Sequence, residues 1–217
     1  MKQEETFIPA LGAGWATRFY DPLVRLTTRE FAFKRALIEQ ADLSEAHKIL
    51  DLACGTGTLS IGIKKRFPKI DIVGVDADKK VLDIARQKVR QKKMEIDFLK
   101  EFSDSTSFHD KSFDRVFSTL FFHHLTREKK LKTFSEILRV LKADGEFHLA
   151  DYEKPANIVQ KALSNVIRIV DGDETTRDNF AGDIQQLMEE SGFSTITLTR
   201  IFKTVLGTIR LFKATKS

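Results

Sequence analysis

Ile49-Leu50-Asp51-Leu52-Ala53-Cys54-Gly55-Thr56-Gly57-Thr58-Leu59 is the stretch from which the rest of the chain can be read. Ile49 to Leu52 is a short apolar run suited to a buried parallel strand, and a helical pattern begins at Thr58. Between them, Gly55 and Gly57 permit a tight turn in which the backbone can approach a ligand closely. The first amides of the following helix have no partners within the helix and point toward the same place. Strand, glycine turn and helix together form a cradle for a nucleotide.

Working outward, the pattern alternates strand and helix. A helix over Thr58 to Phe67 is stopped by Pro68, a strand over Ile70 to Val75 leads to Asp76, a helix spans Lys79 to Gln91, and a strand spans Met94 to Leu99. Right-handed crossovers place these two helices on one face of a parallel sheet. A fourth strand is expected over Phe113 to Ser118, a helix over Glu128 to Leu141, a turn at Ala143-Asp144-Gly145 and a fifth strand over Glu146 to Asp151. Pro155 opens a helix whose apolar positions run to Val170 at helical spacing. Asp171 to Gly182 is polar and reads as a mobile loop, and a helix over Asp183 to Ser191 ends at Gly192. Ser194 to Phe202 and Thr204 to Lys213 are too close together for a crossover helix and should pair as an antiparallel hairpin. Upstream, Asp21-Pro22 starts one or two amphipathic helices ending near Leu43. The expected fold is a single α/β domain over 1–217: a doubly wound, mostly parallel, seven-stranded sheet with helices on both faces. Residues 1–44 are expected to form a helical cap, and 155–182 an inserted helix and loop acting as a lid.

Composition narrows the class. The 217 residues, 41% of them hydrophobic, are enough to bury a substantial core. No apolar run reaches the ~20 residues of a membrane span, and Met1-Lys2-Gln3-Glu4-Glu5 lacks the apolar core of a signal peptide, so a cytoplasmic protein is expected. Cys54 is the only cysteine, which excludes an internal disulfide and a cysteine-rich zinc site. The net charge of +5 is uneven: residues 57–93 carry eleven Lys or Arg against four acids, leaving the remainder slightly negative. Aromatic residues that stack bases are not interleaved with these cations, so a solvated face is expected in preference to a nucleic-acid track.

The dinucleotide fingerprint asks for a third glycine where this chain has Ser60. Asp76 follows Gly57 at the end of the second strand, where a carboxylate can accept from both ribose hydroxyls; its competing reading is a cap for the helix at Lys79. Asp51-Leu52-Ala53-Cys54-Gly55-Thr56-Gly57, Val73-Gly74-Val75-Asp76, Phe102-Ser103-Asp104, Ser112-Phe113-Asp114-Arg115-Val116, Phe121-Phe122-His123-His124-Leu125 and Leu138-Arg139-Val140-Leu141-Lys142 then occur in order. This series resembles the class I S-adenosylmethionine-dependent methyltransferases, and most of all their small-molecule branch with the ubiquinone and menaquinone methylases. Ala53 stands where that family usually has its first glycine, and Ala143-Asp144 where Pro-Gly is common.

The resemblance implies a Rossmann-like fold, S-adenosyl-L-methionine as cofactor, no metal, and roles for particular residues. Asp51 and the backbone of Ala53, Cys54, Gly55, Thr56 and Gly57 would line its methionine part, Asp76 would hold the ribose, and Ala77 would pack near the adenine. Ser103, Asp104 and Ser105 would read the adenine edge; for Asp104 a turn-forming role competes. Ser118 and Thr119 would flank the sulfonium, and Tyr20 would close over the cofactor. Methyl transfer needs alignment and exclusion of water, with a general base only if the acceptor arrives protonated. His124, with His123 second, is the candidate base; both also suit packing. Asp151 and Tyr152 reach the same sheet edge and are candidates to orient the acceptor, with a role in simply ending the strand competing equally. The eighteen phenylalanines, Phe108, Phe117, Phe121 and Phe122 among them, mostly signal core, and those beside the site are candidates for the wall of an apolar or aromatic acceptor pocket. The expected acceptor is a small molecule. The alternatives are an RNA or protein methyltransferase using the basic face, and a binding module without catalysis.

Overall fold

The computed structural model describes residues 29–153, 173–204 and 207–216. In chain order the elements are α1 (Glu30–Gln40), β1 (Lys48–Leu52), α2 (Thr58–Arg66), β2 (Asp71–Asp76), α3 (Lys79–Gln91) and β3 (Asp97–Lys100). These are followed by β4 (Phe113–Thr119), a 3-10 turn (Phe122–His124), α4 (Arg127–Val140) and β5 (Leu141–Glu153). The chain closes with α5 (Asp173–Ala181), α6 (Ile184–Ser191), β6 (Phe193–Lys203) and β7 (Thr208–Lys216). The seven strands form one sheet in the order β3-β2-β1-β4-β5-β7-β6, parallel through β5 and antiparallel at β7 and β6. The order reverses between β1 and β4, and in such sheets ligands bind beyond the strand ends at the reversal. This is the expected sheet with its closing hairpin.

Side chains alternate across β1 and β2 and build a core on each face. Leu50, Leu52, Val73 and Val75 meet Phe134 and Ile137 of α4 and Leu187 and Met188 of α6. Ile49 and Ile72 on the other face meet Phe33 and Leu37 of α1 and Leu59 and Ile63 of α2. Leu82, Ala85 and Val89 of α3 pack with Phe98 and Cys54 beside them. Burying each large side chain stabilises by roughly 1.5–3 kcal/mol. The α2 and α3 helices thus share a face, as right-handed crossovers require.

The structure departs from the sequence reading in three places. Residues 173–181, expected as part of a mobile polar loop, are the helix α5. Its buried positions are Thr176, Asp178 and Asn179, so no apolar period advertises it. Polar contacts hold it instead: Lys130 Nζ of α4, fully buried, donates to Thr175 O at 2.7 Å and to Asp178 Oδ2 at 3.1 Å. The turn at Ala143-Asp144-Gly145 is absorbed into β5, whose pairing with β4 jumps from Phe113↔Leu141 to Arg115↔Glu146. Gly145 folds back so closely that a Cβ would lie 2.8 Å from Leu141 Cδ2. The last strand begins at Thr208, directly after Gly207, whose carbonyl accepts from the Thr204 hydroxyl at 2.7 Å. Of the expected cap and lid segments, residues 1–28 and 154–172 lie outside the described residues, and Tyr20 with them.

Candidate active site

The cradle forms as its glycines suggest, with one addition. Gly55 and Gly57 have φ of 53° and 71°, and Ala53 is also left-handed at 56°. Alanine in the first glycine's place therefore makes the same turn at a cost of roughly 1 kcal/mol. The two glycines serve different ends. A Cβ on Gly57 would lie 2.8 Å from the Phe98 ring and 3.1 Å from Ala85 Cβ, whereas one on Gly55 would meet nothing within 4 Å. Gly57 lets α2 pack onto α3, and Gly55 faces open space. Thr56 is buried, its hydroxyl accepting from Lys88 Nζ of α3 at 2.8 Å. The Cys54 side chain turns inward to the Leu82, Ala85 and Phe98 cluster, where burial raises its thiol well above its ordinary value. Only its backbone remains in the turn.

Asp51 is fully buried at the end of β1, and its Oδ2 accepts from the Ser60 hydroxyl and amide. Ser60, in the missing glycine's place, thus anchors this carboxylate. Its Oδ1 has no partner, and burial raises the carboxyl to about 6 against the opposing Ser60 hydrogen bonds and the Lys34 charge. The Asp76 carboxylate accepts from Gly55 N and Asp78 N, both at 2.9 Å. It does not cap α3; Asp78 does, accepting from Lys80 N at 2.8 Å. The Ala77 amide also faces this carboxylate, and the remaining lone-pair positions of Asp76 stay available. Ala77 follows, partly exposed.

Beyond β3, Glu101 N donates to Asp76 O at 3.2 Å, which brings the 102–105 loop beside Asp76. The Ser103 hydroxyl faces Thr133 of α4 at 3.1 Å, Ser105 is exposed and bridges back to Phe102, and Asp104 is partly exposed. Ser118 and Thr119 end β4, with Ser118 opposite Leu52; its buried hydroxyl has no partner. The residues expected to hold the cofactor, Tyr20 apart, therefore meet along one sheet edge. They fit an adenosyl amino acid: Asp51 Oδ1 lacks a hydrogen to accept, Asp76 can take a diol, and Gly55 leaves room.

The histidine turn lies directly after β4. Leu120 leaves the strand with φ of 52°. Asp151, fully buried on β5, then gathers the turn: its Oδ2 accepts from Phe121 N at 3.1 Å and Phe122 N at 2.6 Å, and its Oδ1 from Tyr152 N at 2.7 Å. The fourth partner is His123 Nδ1 at 2.5 Å. Burial pushes the Asp151 carboxyl upward, but the charge and hydrogen bond of His123 outweigh it and hold it below its ordinary value. An ionised carboxylate only accepts, so Nδ1 carries a proton and the ring is oriented with Nε2 turned away from Asp151. His124 lies against His123 with ring centres 4.0 Å apart and planes tilted by 41°, and burial, then His123, lowers it to about 3. The carboxylate thus engages the histidine that sequence reasoning ranked second.

Sequence reasoning missed two contributors. Asn179 of α5 donates to Tyr152 O at 2.9 Å, and Glu153, the last residue of β5, is buried beside Asp151. Nothing in their local sequence marks them. Among the phenylalanines, Phe117 stacks on His148 in the core, Phe122 on Phe134, and Phe108 packs on Phe113 at the far end of β4. Phe121, beside the turn, is partly exposed, as is Phe108 at the far end.

Residues 49–145 match the family described as a methyltransferase domain. The chain is 31% identical over 140 residues to the demethylmenaquinone methyltransferase of Deinococcus radiodurans, covering 64% of itself and 57% of that protein. It is 30% identical over 149 residues to a ubiquinone/menaquinone biosynthesis C-methyltransferase of Geotalea uraniireducens, covering 66% of itself and 63% of that protein. The chain spans about three fifths of the length of these relatives. A solved S-adenosylmethionine-dependent methyltransferase from Aquifex aeolicus superimposes with a TM-score of 0.70 at 17% identity, covering 95% of this chain and all of that one. The glycine turn, the Asp51 and Asp76 carboxylates and the first four parallel strands all lie within residues 49–145 or at their edge, the segment that matches the methyltransferase domain, and the fold as a whole is the one shared with the solved S-adenosylmethionine-dependent methyltransferase.

Proposed function

We propose that the protein transfers a methyl group from S-adenosylmethionine to a small acceptor with an apolar or aromatic body. The observation that carries this reading is the His123–Asp151 pair standing beside the cradle, one strand away from it in the sheet. When bound, the sulfonium supplies an activated methyl group. Asp51 and the Ala53–Gly57 backbone hold its amino-acid end, Asp76 its ribose, Ala77 and Ser103 to Ser105 its base, and Ser118 and Thr119 flank its reactive side. His123 accepts the acceptor's proton at Nε2, and the resulting imidazolium is balanced by Asp151. His124, held neutral far below neutrality, packs beside it and raises no competing charge. Phe121 and Leu120 supply apolar wall, and α5, closed down by Lys130 and Asn179, keeps water from that side.

The reading of the cations as a solvated face draws support from their partners. Lys64 bonds Ile70 O, Arg86 bonds Phe98 O and Asp83, and Lys88 bonds Thr56. Such ties spend charge within the fold that an RNA or protein acceptor would need. The test is transfer of a labelled methyl group from S-adenosylmethionine to a metabolite extract or to RNA, with wild type and His123→Ala. A labelled small molecule formed by the wild type and reduced ~100-fold or more in the variant is expected. Label in RNA alone would overturn the reading.

A further inference from the structure

Surface loops are ordinarily the mobile parts of a fold, yet the loop joining β3 to β4 is fastened along α4. All five N–H groups of Arg139 are engaged there or by Glu136. Nε donates to Glu136 Oε2 at 2.8 Å, and Nη2 to Glu136 Oε1 at 2.7 Å and Thr106 O at 3.3 Å. Nη1 donates to Phe108 O at 2.8 Å and to Asp110 Oδ1 at 2.6 Å. Glu136, itself buried, accepts in turn from the Thr106 amide at 2.8 Å and from the Thr106 hydroxyl. One turn earlier on the helix, the fully buried Thr133 meets the Ser103 hydroxyl at 3.1 Å. Glu101 closes the loop at its base, accepting from the Ser107 amide at 3.0 Å and from the Ser107 hydroxyl, while its own amide donates to Asp76 O at 3.2 Å. Burial pushes the Glu136 carboxyl up, but Arg139 and Thr106 outweigh it and hold it below its ordinary value, so the fork with Arg139 stays ionised near neutral pH. Asp104 stands between these fastenings, partly exposed, in the short turn pinched by the Phe102↔Ser105 bridge, and takes none of the bonds.

We propose that Thr133, Glu136 and Arg139 are positioning residues: they hold Asp104 at the edge of the donor's base and so set a preference for adenine over hypoxanthine. This rests on the proposed contact of Ser103 to Ser105 with that base. An ionised carboxylate only accepts, so it suits the exocyclic amino group of adenine and repels the carbonyl oxygen that takes its place in hypoxanthine. A hydrogen bond weakens steeply as its angle closes, and an exposed carboxylate on a loose loop turns to water instead. Discrimination therefore depends on how firmly the loop is held. The fastening is placed for that purpose. It grips both flanks of one solvent-facing carboxylate, Ser103 before it and Thr106 after it, from a helix that packs on the core. The cradle and the Asp76 carboxylate lie outside this loop and read neither base.

The test is calorimetric titration of the full chain with S-adenosylhomocysteine and with S-inosylhomocysteine, which carries hypoxanthine in place of adenine. Arg139→Lys keeps the charge and loses the planar fork, with circular dichroism checking its fold. Thr133→Val keeps the shape and removes the Ser103 partner, so it should fold. The wild type should bind S-adenosylhomocysteine more tightly than S-inosylhomocysteine. Arg139→Lys should lose about tenfold on the adenine ligand and little on the other, so that the preference collapses, and Thr133→Val should shift it in the same direction. A role in stability alone lowers the competent fraction and weakens both ligands alike. A preference preserved in both variants, whether the affinities fall together or not at all, would overturn the positioning role while leaving the base contact standing. Equal binding of the two ligands by the wild type would remove the base contact and this role with it, and failure of S-adenosylhomocysteine to bind would remove the donor site itself.

Discussion

The two halves of the sheet edge are built by different means. On the β1–β3 side the site is mostly backbone: left-handed Ala53, Gly55 and Gly57, and carboxylates at Asp51 and Asp76 fixed by amides and a hydroxyl within one βαβ unit. On the β4–β5 side it is side chains drawn together from distant segments: His123 to Asp151, Lys130 to Asp178, Asn179 to Tyr152, Arg210 to Glu153. A backbone cradle suits a ligand that never changes. A side-chain assembly can be rebuilt for a new acceptor without disturbing the donor.

This contrast can be broken in several ways. The largest effect is expected where a buried ion pair holds the side-chain half together. Lys130→Met leaves Asp178 only the looser Arg127 contact at 3.8 Å and deprives Thr175 O of its donor, and should lower stability to chemical denaturation by about 3 kcal/mol. An unchanged midpoint would mean that α5 is held by something else. On the backbone half, Gly57→Ala meets Phe98 at 2.8 Å in a left-handed conformation and should cost about 2–4 kcal/mol. Gly55→Ala should cost only about 1 kcal/mol of stability and instead weaken S-adenosylhomocysteine binding, since its Cβ enters open space. If both variants lose stability equally, the division of labour between the glycines is wrong.

Asp51 gives a pH signature. Its folded-state carboxyl is raised to about 6 from an ordinary 3.8, so the fold binds a proton more tightly than the unfolded chain. Its contribution is therefore fully present below the unfolded value and falls away as pH rises through about 6. Donor binding runs the other way, because the ionised carboxylate is the form that accepts from an ammonium. Affinity for S-adenosylhomocysteine should rise roughly tenfold between about pH 5 and about pH 7, and Asp51→Asn should flatten that rise. A flat wild-type profile would place the ammonium elsewhere. The smallest effect is at Ala53: glycine there removes the left-handed strain but adds unfolded-state entropy, for a net gain of about 0.5–1 kcal/mol in unfolding free energy. A loss would mean that the Ala53 methyl packs usefully.

The same contrast explains what the sequence made legible. The donor half could be read because its signals are local: an apolar run, glycines two apart, Asp76 at a strand end, and Ser60 where a dinucleotide site needs glycine. Even the Asp76 ambiguity resolved locally, since Asp78 supplies the cap. The acceptor half could not be read in the same way. That Asp151 pairs with His123 and not His124 depends on the 3-10 turn after Leu120, which no periodicity encodes. The α5 helix was hidden because polar residues bury it, with Asp178 and Asn179 facing inward to Lys130 and Tyr152 O. Phe117 and Phe122 lie in the core, as is expected of most of the phenylalanines, sent there by strand alternation and the turn.

The inward-facing Cys54 makes the cradle self-reporting. It is the chain's one thiol, and its sulfur sits 2.9 Å from where a Gly74 Cβ would be, enclosed beneath the turn. A thiol reagent can reach it only when the turn lifts off α3, so the rate of alkylation under native conditions counts those openings. No label or engineered probe is needed, and any ligand that clamps the turn will register as a slower reaction at a single, known sulfur.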